Sequence, residues 1–231
     1  MASLRIDRRR LILGAGALGL TSFPVLAACA EQRPAASGRG RLIVGDSCPP
    51  TPSQTEGPFY FDPKLLRSDI REGKPGVPLL LRVQVVGAED CAAFANARVD
   101  VWHCDSAGQY SGYDSERSAG ETFLRGTQRA DAQGVVSFAT IYPGWYEGRA
   151  THIHCKATAA DGREVATQFY FPEEVTEAVH RESAYGGPRR GRRVANSDDG
   201  LFRGSGGGEA TMLALKRAAT GFEGAIVVAM D

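Results

Sequence analysis

The sequence predicts one mainly β domain over residues 47–231, an antiparallel sandwich with a single short helix and long loops. Three observations carry that reading. Six short runs are rich in β-type residues and bounded by Gly, Pro or Asp. Only one stretch has helical patterning, and no segment repeats another. A chain of 231 residues, 42% hydrophobic and 23% charged, has the composition of a globular protein with a sizeable core.

In chain order, an extended Pro-rich stretch, Cys48 to Tyr60, precedes a first apolar strand at 79–86. The next, at 98–103, alternates strictly: Val99, Val101 and His103 face one way, Asp100, Trp102 and Cys104 the other. Strands follow at 134–141, 151–157 and 165–171. Pro172, Glu173 and Glu174 ahead of Val175, Ala178 and Val179 read as one short helix with Pro in its first turn. Residues 181–210 are rich in Arg and Gly without period and read as a long surface loop. A last strand is expected at 224–230.

Charge narrows the function. Lys and Arg number 27 and so do Asp and Glu, so the electrostatic footprint of a nucleic-acid binder is missing. The N-terminus carries its own signal. Arg5 and Arg8-Arg9-Arg10 precede a modestly apolar run from Leu11 to Ala28, short for a membrane span and poor in Ile and Phe. Residues 1–28 therefore read as an export signal of the twin-arginine type, and 29–46 as a linker. Leu26-Ala27-Ala28-Cys29 resembles a lipobox, which makes Cys29 either a lipidated first residue or a neighbour of simple cleavage. The expected location is periplasmic or membrane-anchored outside the cytoplasm, with membrane contact only through that lipid. In an oxidising compartment Cys91 and Cys104, which flank one strand, are the expected disulfide; Cys48 and Cys155 either pair or stay buried thiols.

His152-Ile153-His154 is the sharpest chemical feature. On a strand, residues two apart share a face, so both imidazoles enter one space about 7 Å apart at Cα. No Asp, Glu or Cys stands beside them at zinc spacing, and Cys155 points the other way. By themselves the two histidines are a metal pair or a satisfied pair, and Tyr110 and Tyr146 are core-edge tyrosines. His103 reads as a core or edge histidine and His180 as solvated.

Taken together, the segments around these residues resemble the intradiol ring-cleavage dioxygenases. The matching stretches are Thr55-Glu56-Gly57-Pro58-Phe59, Ala97 to Trp102 continuing to Gly108-Gln109-Tyr110, Tyr142 to His154, and Thr167 to Phe171. The resemblance implies the β-sandwich of that family and one non-haem Fe(III) per chain, bound by Tyr110, Tyr146, His152 and His154. It implies a catechol-type diol and O2 as substrates, with ring opening between the two hydroxyl-bearing carbons. Tyr146 matches the tyrosine that substrate displaces from the metal. Arg149 matches the active-site arginine that stabilises charge on the ring, and Gln168 a residue bonding around metal and substrate. Thr55, Gly57, Pro58 and Phe59 would line the substrate pocket. Only five residues separate Tyr146 from His152, and no long helical dimerisation segment is present, as in the family's compact exported members. Two rivals are a non-catalytic β-sandwich binding module and a copper or redox site built on His152 and His154 alone.

Overall fold

A computed structural model describes residue 42 and residues 47–187, 192–204 and 208–231. The expected signal, Cys29 and, apart from Leu42, the linker lie outside the described residues. Among the described residues, eight strands form two four-stranded sheets facing each other. β1 (Pro78–Gly87), β4 (Val135–Ile141), β7 (Ala214–Arg217) and β8 (Phe222–Met230) form one, in the order β4-β1-β8-β7. β2 (Arg98–Trp102), β3 (Arg125–Arg129), β5 (His152–Thr158) and β6 (Glu164–Tyr170) form the other, in the order β3-β2-β5-β6.

Alternation decides what lies between the sheets. Leu79, Leu81, Val83 and Val85 of β1 point inward, with Val136 and Phe138 of β4 and Ile226 and Val228 of β8. They meet Val99 and Val101 of β2, Ile153, Cys155 and Ala157 of β5, and Val165 and Phe169 of β6. This is the sandwich that the apolar periodicity predicts. One pair departs from the antiparallel expectation: β8 lies parallel to β1, with Val83 opposite Ile226 and Val85 opposite Val228. A parallel neighbour needs a long crossover, and here the whole second sheet lies between the two strands in sequence.

Six strands fall where the sequence places them. β3 and β7 were not expected; their sequences, Arg-Gly-Thr-Gln-Arg and Ala-Leu-Lys-Arg, carry no apolar alternation. Both are edge strands, where charged residues guard against pairing with another chain. The helix appears as α1 (Glu173–Val179), with Pro172 one position ahead of it rather than in its first turn. Residues 181–210 are more than a surface loop. They include α2 (Gly200–Gly204), and Tyr185, Asn196 and Asp199 are buried.

The cysteine expectation fails. Cys48 pairs with Cys91, Cα atoms 5.5 Å apart, whereas Cys104 and Cys155 are buried and outside any disulfide. Flanking a strand puts two residues at its opposite ends. The five residues of β2 span about 17 Å, far beyond disulfide reach. Cys91 instead packs with Val86 and Ala229 at one end of the first sheet, and Cys104 with Trp102 and Tyr110 beyond the other end of β2. His103 is the core histidine expected. One ring nitrogen bonds the Cys104 carbonyl at 2.8 Å and the other the Thr140 hydroxyl at 2.7 Å. Burial lowers its pKa to about 4, so it is neutral. His180 is not solvated as expected: it is half-buried, bonds the Pro143 carbonyl at 3.1 Å and packs at a tilt against Trp145.

Candidate metal centre

The register of the second sheet assembles the site on its outer face. Trp102 lies opposite His154 on β5, His154 opposite Gln168 on β6, and His152 opposite Tyr170. Cross-strand neighbours on one face touch. The Trp102 and His154 rings stack at 5.0 Å with only 5° between planes, which fixes the imidazole on its inner side.

Two loops bring in the tyrosines. After β2 the chain turns through Asp105, whose carboxylate accepts the Ala107 and Gln109 N–H groups at 2.9 and 3.0 Å. Gly108, at φ +87°, presses against the 145 carbonyl so closely that a Cβ would lie 2.1 Å from that oxygen. Only glycine permits this approach, and it draws the Tyr110 and Tyr146 loops together.

Four donor atoms converge. His152 Nε2 lies 3.1 Å from His154 Nε2, 3.4 Å from the Tyr110 hydroxyl and 3.5 Å from the Tyr146 hydroxyl. His152 Nδ1 donates to the Ala150 carbonyl at 2.7 Å, which leaves its Nε2 lone pair aimed at the others. Burial and then the nearby Arg149 charge lower the His152 pKa to about 3; burial and then His152 push His154 well below its ordinary value. Both imidazoles are uncharged. Burial, and after it Tyr146, drives the Tyr110 phenol well above its usual range; burial raises Tyr146 as well, with Arg149 opposing. Two phenols that resist ionising, beside two neutral imidazoles, suit a hard, highly charged cation that stabilises phenolate. Among the described residues no three His, Cys, Asp or Glu side chains form a metal site, so the tyrosines are indispensable to any such reading. Cys155, as expected, faces the core.

Arg149 ties the site to its surroundings. Its Nη1 donates to the Tyr146 hydroxyl at 3.0 Å, Nη2 to Gln168 Oε1 at 2.5 Å, and Nε to Asp199 Oδ2 at 2.9 Å. Burial disfavours its charge, but Tyr146 and Asp199 more than offset that and raise its pKa. Gln168 Nε2 donates in turn to the Thr55 carbonyl at 3.2 Å.

The extended stretch before β1 roofs the site. Its Gln54 N–H bonds the Ala166 carbonyl of β6 at 2.8 Å, which carries Gly57 to Phe59 over β5. Gly57 has φ +71°, and a Cβ there would meet the His154 ring at 3.3 Å. The Phe59 ring stacks on Tyr110 at 4.3 Å and meets Tyr146 edge-on at 5.9 Å. Buried Arg125 donates to the Phe59 carbonyl at 2.7 Å and holds that turn. Thr55 and Pro58 are exposed; the Thr55 hydroxyl accepts the Gly57 N–H at 3.1 Å.

The residues singled out from the sequence thus gather in one place, except Cys91 and the undescribed Cys29. Trp102, read there as packing, also backs His154. Missed were Tyr170, Arg125 and Asp199. Tyr170 sits two residues from Gln168 on a strand, so the shared-face rule could have found it. Nothing local marks Asp199.

Comparison with known proteins bears on the family and the fold. The sequence model of the family described as Dioxygenase matches residues 54–182. Catechol 1,2-dioxygenase 2 of Acinetobacter lwoffii is 31% identical over 144 residues, 51% of this chain and 50% of that protein. The chain thus spans about half the length of the catechol dioxygenases it matches. Among solved structures, an intradiol ring-cleavage dioxygenase from Tetranychus urticae superposes with a TM-score of 0.74 at 29% identity, over 80% of this chain and 95% of that one. The dioxygenase domain of a dioxygenase–carbohydrate-binding fusion from Streptomyces sp. SirexAA-E gives 0.62 at 30% identity, over 79% and 98%.

Proposed function

The chain belongs to the intradiol ring-cleavage dioxygenase family, and from that premise we propose that it is an Fe(III)-dependent enzyme opening a catechol-type ring between the two hydroxyl-bearing carbons with O2. The observation that carries the proposal is the convergence of two phenol oxygens and the His154 Nε2 nitrogen within 3.1 to 3.5 Å of His152 Nε2, with Arg149 bonded to one of the phenols. Tyr110, Tyr146, His152 and His154 would hold the iron. When bound, the ferric ion serves as template and electronic activator for a chelating diol.

The chain's own residues do the rest. Tyr146 is half-buried whereas Tyr110 is fully buried, so with iron bound Tyr146 would be the phenol more open to replacement by a diol. Held as phenolate by a bound ferric ion, Tyr146 would on release have an oxygen free to accept a proton from a substrate hydroxyl, and Arg149 Nη1, already 3.0 Å away, would hold that oxygen near the site. The same guanidinium supplies a fixed positive charge where negative charge gathers on the ring. Phe59 and the Cβ-free edge of Gly57 offer a flat apolar wall that excludes water from the ring.

Iron analysis, visible spectra and O2 uptake test the reading. One iron per chain, a reddish tyrosinate band and a muconate-type diacid from catechol, protocatechuate or hydroxyquinol are expected. Iron-loaded protein that stays colourless, or consumes no O2 with any of the three, overturns it.

Export belongs to the same proposal. Residues 1–28 would carry the folded chain across the membrane, ending in lipidation of Cys29 or simple cleavage. The Cys48–Cys91 disulfide supports an oxidising destination. Fractionation of cells expressing the full chain, with fatty-acid labelling of wild type and Cys29→Ser, checks it; unprocessed cytoplasmic protein speaks against it.

A further inference from the structure

Asp199 lies beyond the segment that the family model matches, in a stretch whose sequence gives no sign of a role. Its side chain is nonetheless fully buried, and its two oxygens face different partners. Oδ1 accepts the Leu201 and Phe202 N–H groups at 2.8 and 3.1 Å, at the start of α2. Oδ2 accepts Arg149 Nε at 2.9 Å and the Ala150 N–H at 2.8 Å. One oxygen caps the loop. The other reaches the site.

We propose that Asp199 is a positioning residue for ring cleavage, acting through Arg149; the proposal rests on the function inferred above. A guanidinium is planar and its donors are fixed in a fork, so holding Nε sets the direction of both Nη atoms. With Nε anchored on Asp199, Nη1 points at Tyr146 and Nη2 at Gln168. The Ala150 N–H shares the same oxygen, and the Ala150 carbonyl receives His152 Nδ1 at 2.7 Å, so one carboxylate orients the arginine and steadies the strand entry carrying the first histidine. The charge matters as well. A half-buried arginine without a carboxylate loses the partner that offsets its desolvation, and the network it organises loosens. Phe202, held through Oδ1, packs edge-on against Tyr170 at 5.0 Å, so the capped loop also closes the wall beside His152.

Asp199→Ser separates the two jobs. Serine is a good cap for Leu201 and Phe202 but is too short to reach Arg149. The variant is expected to keep one iron per chain but to melt below wild type, because Arg149 Nε and the Ala150 N–H lose their shared oxygen. Its kcat at saturating catechol should fall about 10- to 100-fold, as for loss of a partner that orients a metal-site residue. The tyrosinate band should shift, because Arg149 bonds the Tyr146 oxygen. In an Arg149→Lys background the same substitution should cost little further kcat and move the band no further. Asp199→Asn keeps the shape but loses the charge and sets an amide NH2 against N–H donors on one side, so it should repeat the kcat loss. Unchanged kcat in both Asp199 variants overturns the proposal, as does an equal further loss in the Arg149→Lys background. A wild-type protein inactive on every diol overturns the proposed function and this inference together; an active wild type with indifferent Asp199 variants overturns this inference alone.

Discussion

The two sheets share one core and differ in what lies outside it. On β1 of the first sheet, Leu80 and Arg82 of the outer face are partly open to solvent. On β5 of the second, the outer-face histidines His152 and His154 are 2% and 1% exposed. The first sheet is a structural half, stabilised by apolar burial and by the Cys48–Cys91 bond at its end. The second carries a second, polar interior on its far side, roofed by the extended stretch, the two tyrosine loops and the Asp199 loop. Buried polar atoms are costly unless paired. The roof is therefore held by its paired groups, from Gln168 to Arg149 to Asp199, while Trp102 Nε1, Thr151 Oγ1 and His154 Nδ1 are buried without a hydrogen-bond partner among the described residues.

The largest effect should come from the outer face of β5. His154→Ala is expected to remove bound iron and ring cleavage together, while the metal-free protein melts within about 4 °C of wild type, a stability change near 1 kcal/mol for a chain this size. Iron content and calorimetry on both proteins check it; a large drop in melting temperature would mean the site face also holds the fold together.

The first sheet should show the reverse. Cys48→Ser/Cys91→Ser opens a 43-residue loop, and chain entropy puts the stabilisation lost at about 4 kcal/mol. Urea unfolding measures that loss. Ring-cleavage kcat below the melting range should stay at the wild-type level, and a parallel fall in kcat would erase the distinction between the halves.

His103 sharpens the comparison, because it reaches from the end of β2 to Thr140 of β4 and so joins the two sheets. Its folded pKa of about 4 lies below the ordinary 6.5. The unfolded chain takes up the proton first, so stability is full above pH 6.5 and is lost as pH falls toward 4, by on the order of 3 kcal/mol. Metal-free wild type should therefore lose more stability between pH 7 and pH 4.5 than His103→Gln does. Equal losses in urea midpoints would remove His103 from the account.

The smallest effect tests the inner face of β5. Ile153→Val lies between the two histidines and points into the core, so it should cost about 1 kcal/mol with iron binding unchanged. Paired melting and iron titrations decide it.

What could be read from the sequence follows the range of the interactions. Alternation in 79–86 and 151–157 marked strands because those residues obey a local period. The edge strands β3 and β7 escaped because packing and pairing, not side-chain pattern, make them strands. The histidine pair was visible as a motif two residues apart, and the tyrosines only through resemblance, since a loop tyrosine has no period. The Cys48 partner of Cys91 and the Asp199 partner of Arg149 were invisible. Each joins segments dozens of residues apart, and only the folded chain chooses them.

The alternation of β5 has one more consequence, for quality control of the folded chain. Shifting that strand by a single residue against its neighbours would present Ile153 and Cys155 where His152 and His154 now stand. A misregistered molecule could look compact and keep its strand content, yet it would offer the metal no nitrogen. Uptake of ferric ion, visible by eye, would then grade each preparation for correct strand alignment without any substrate at all.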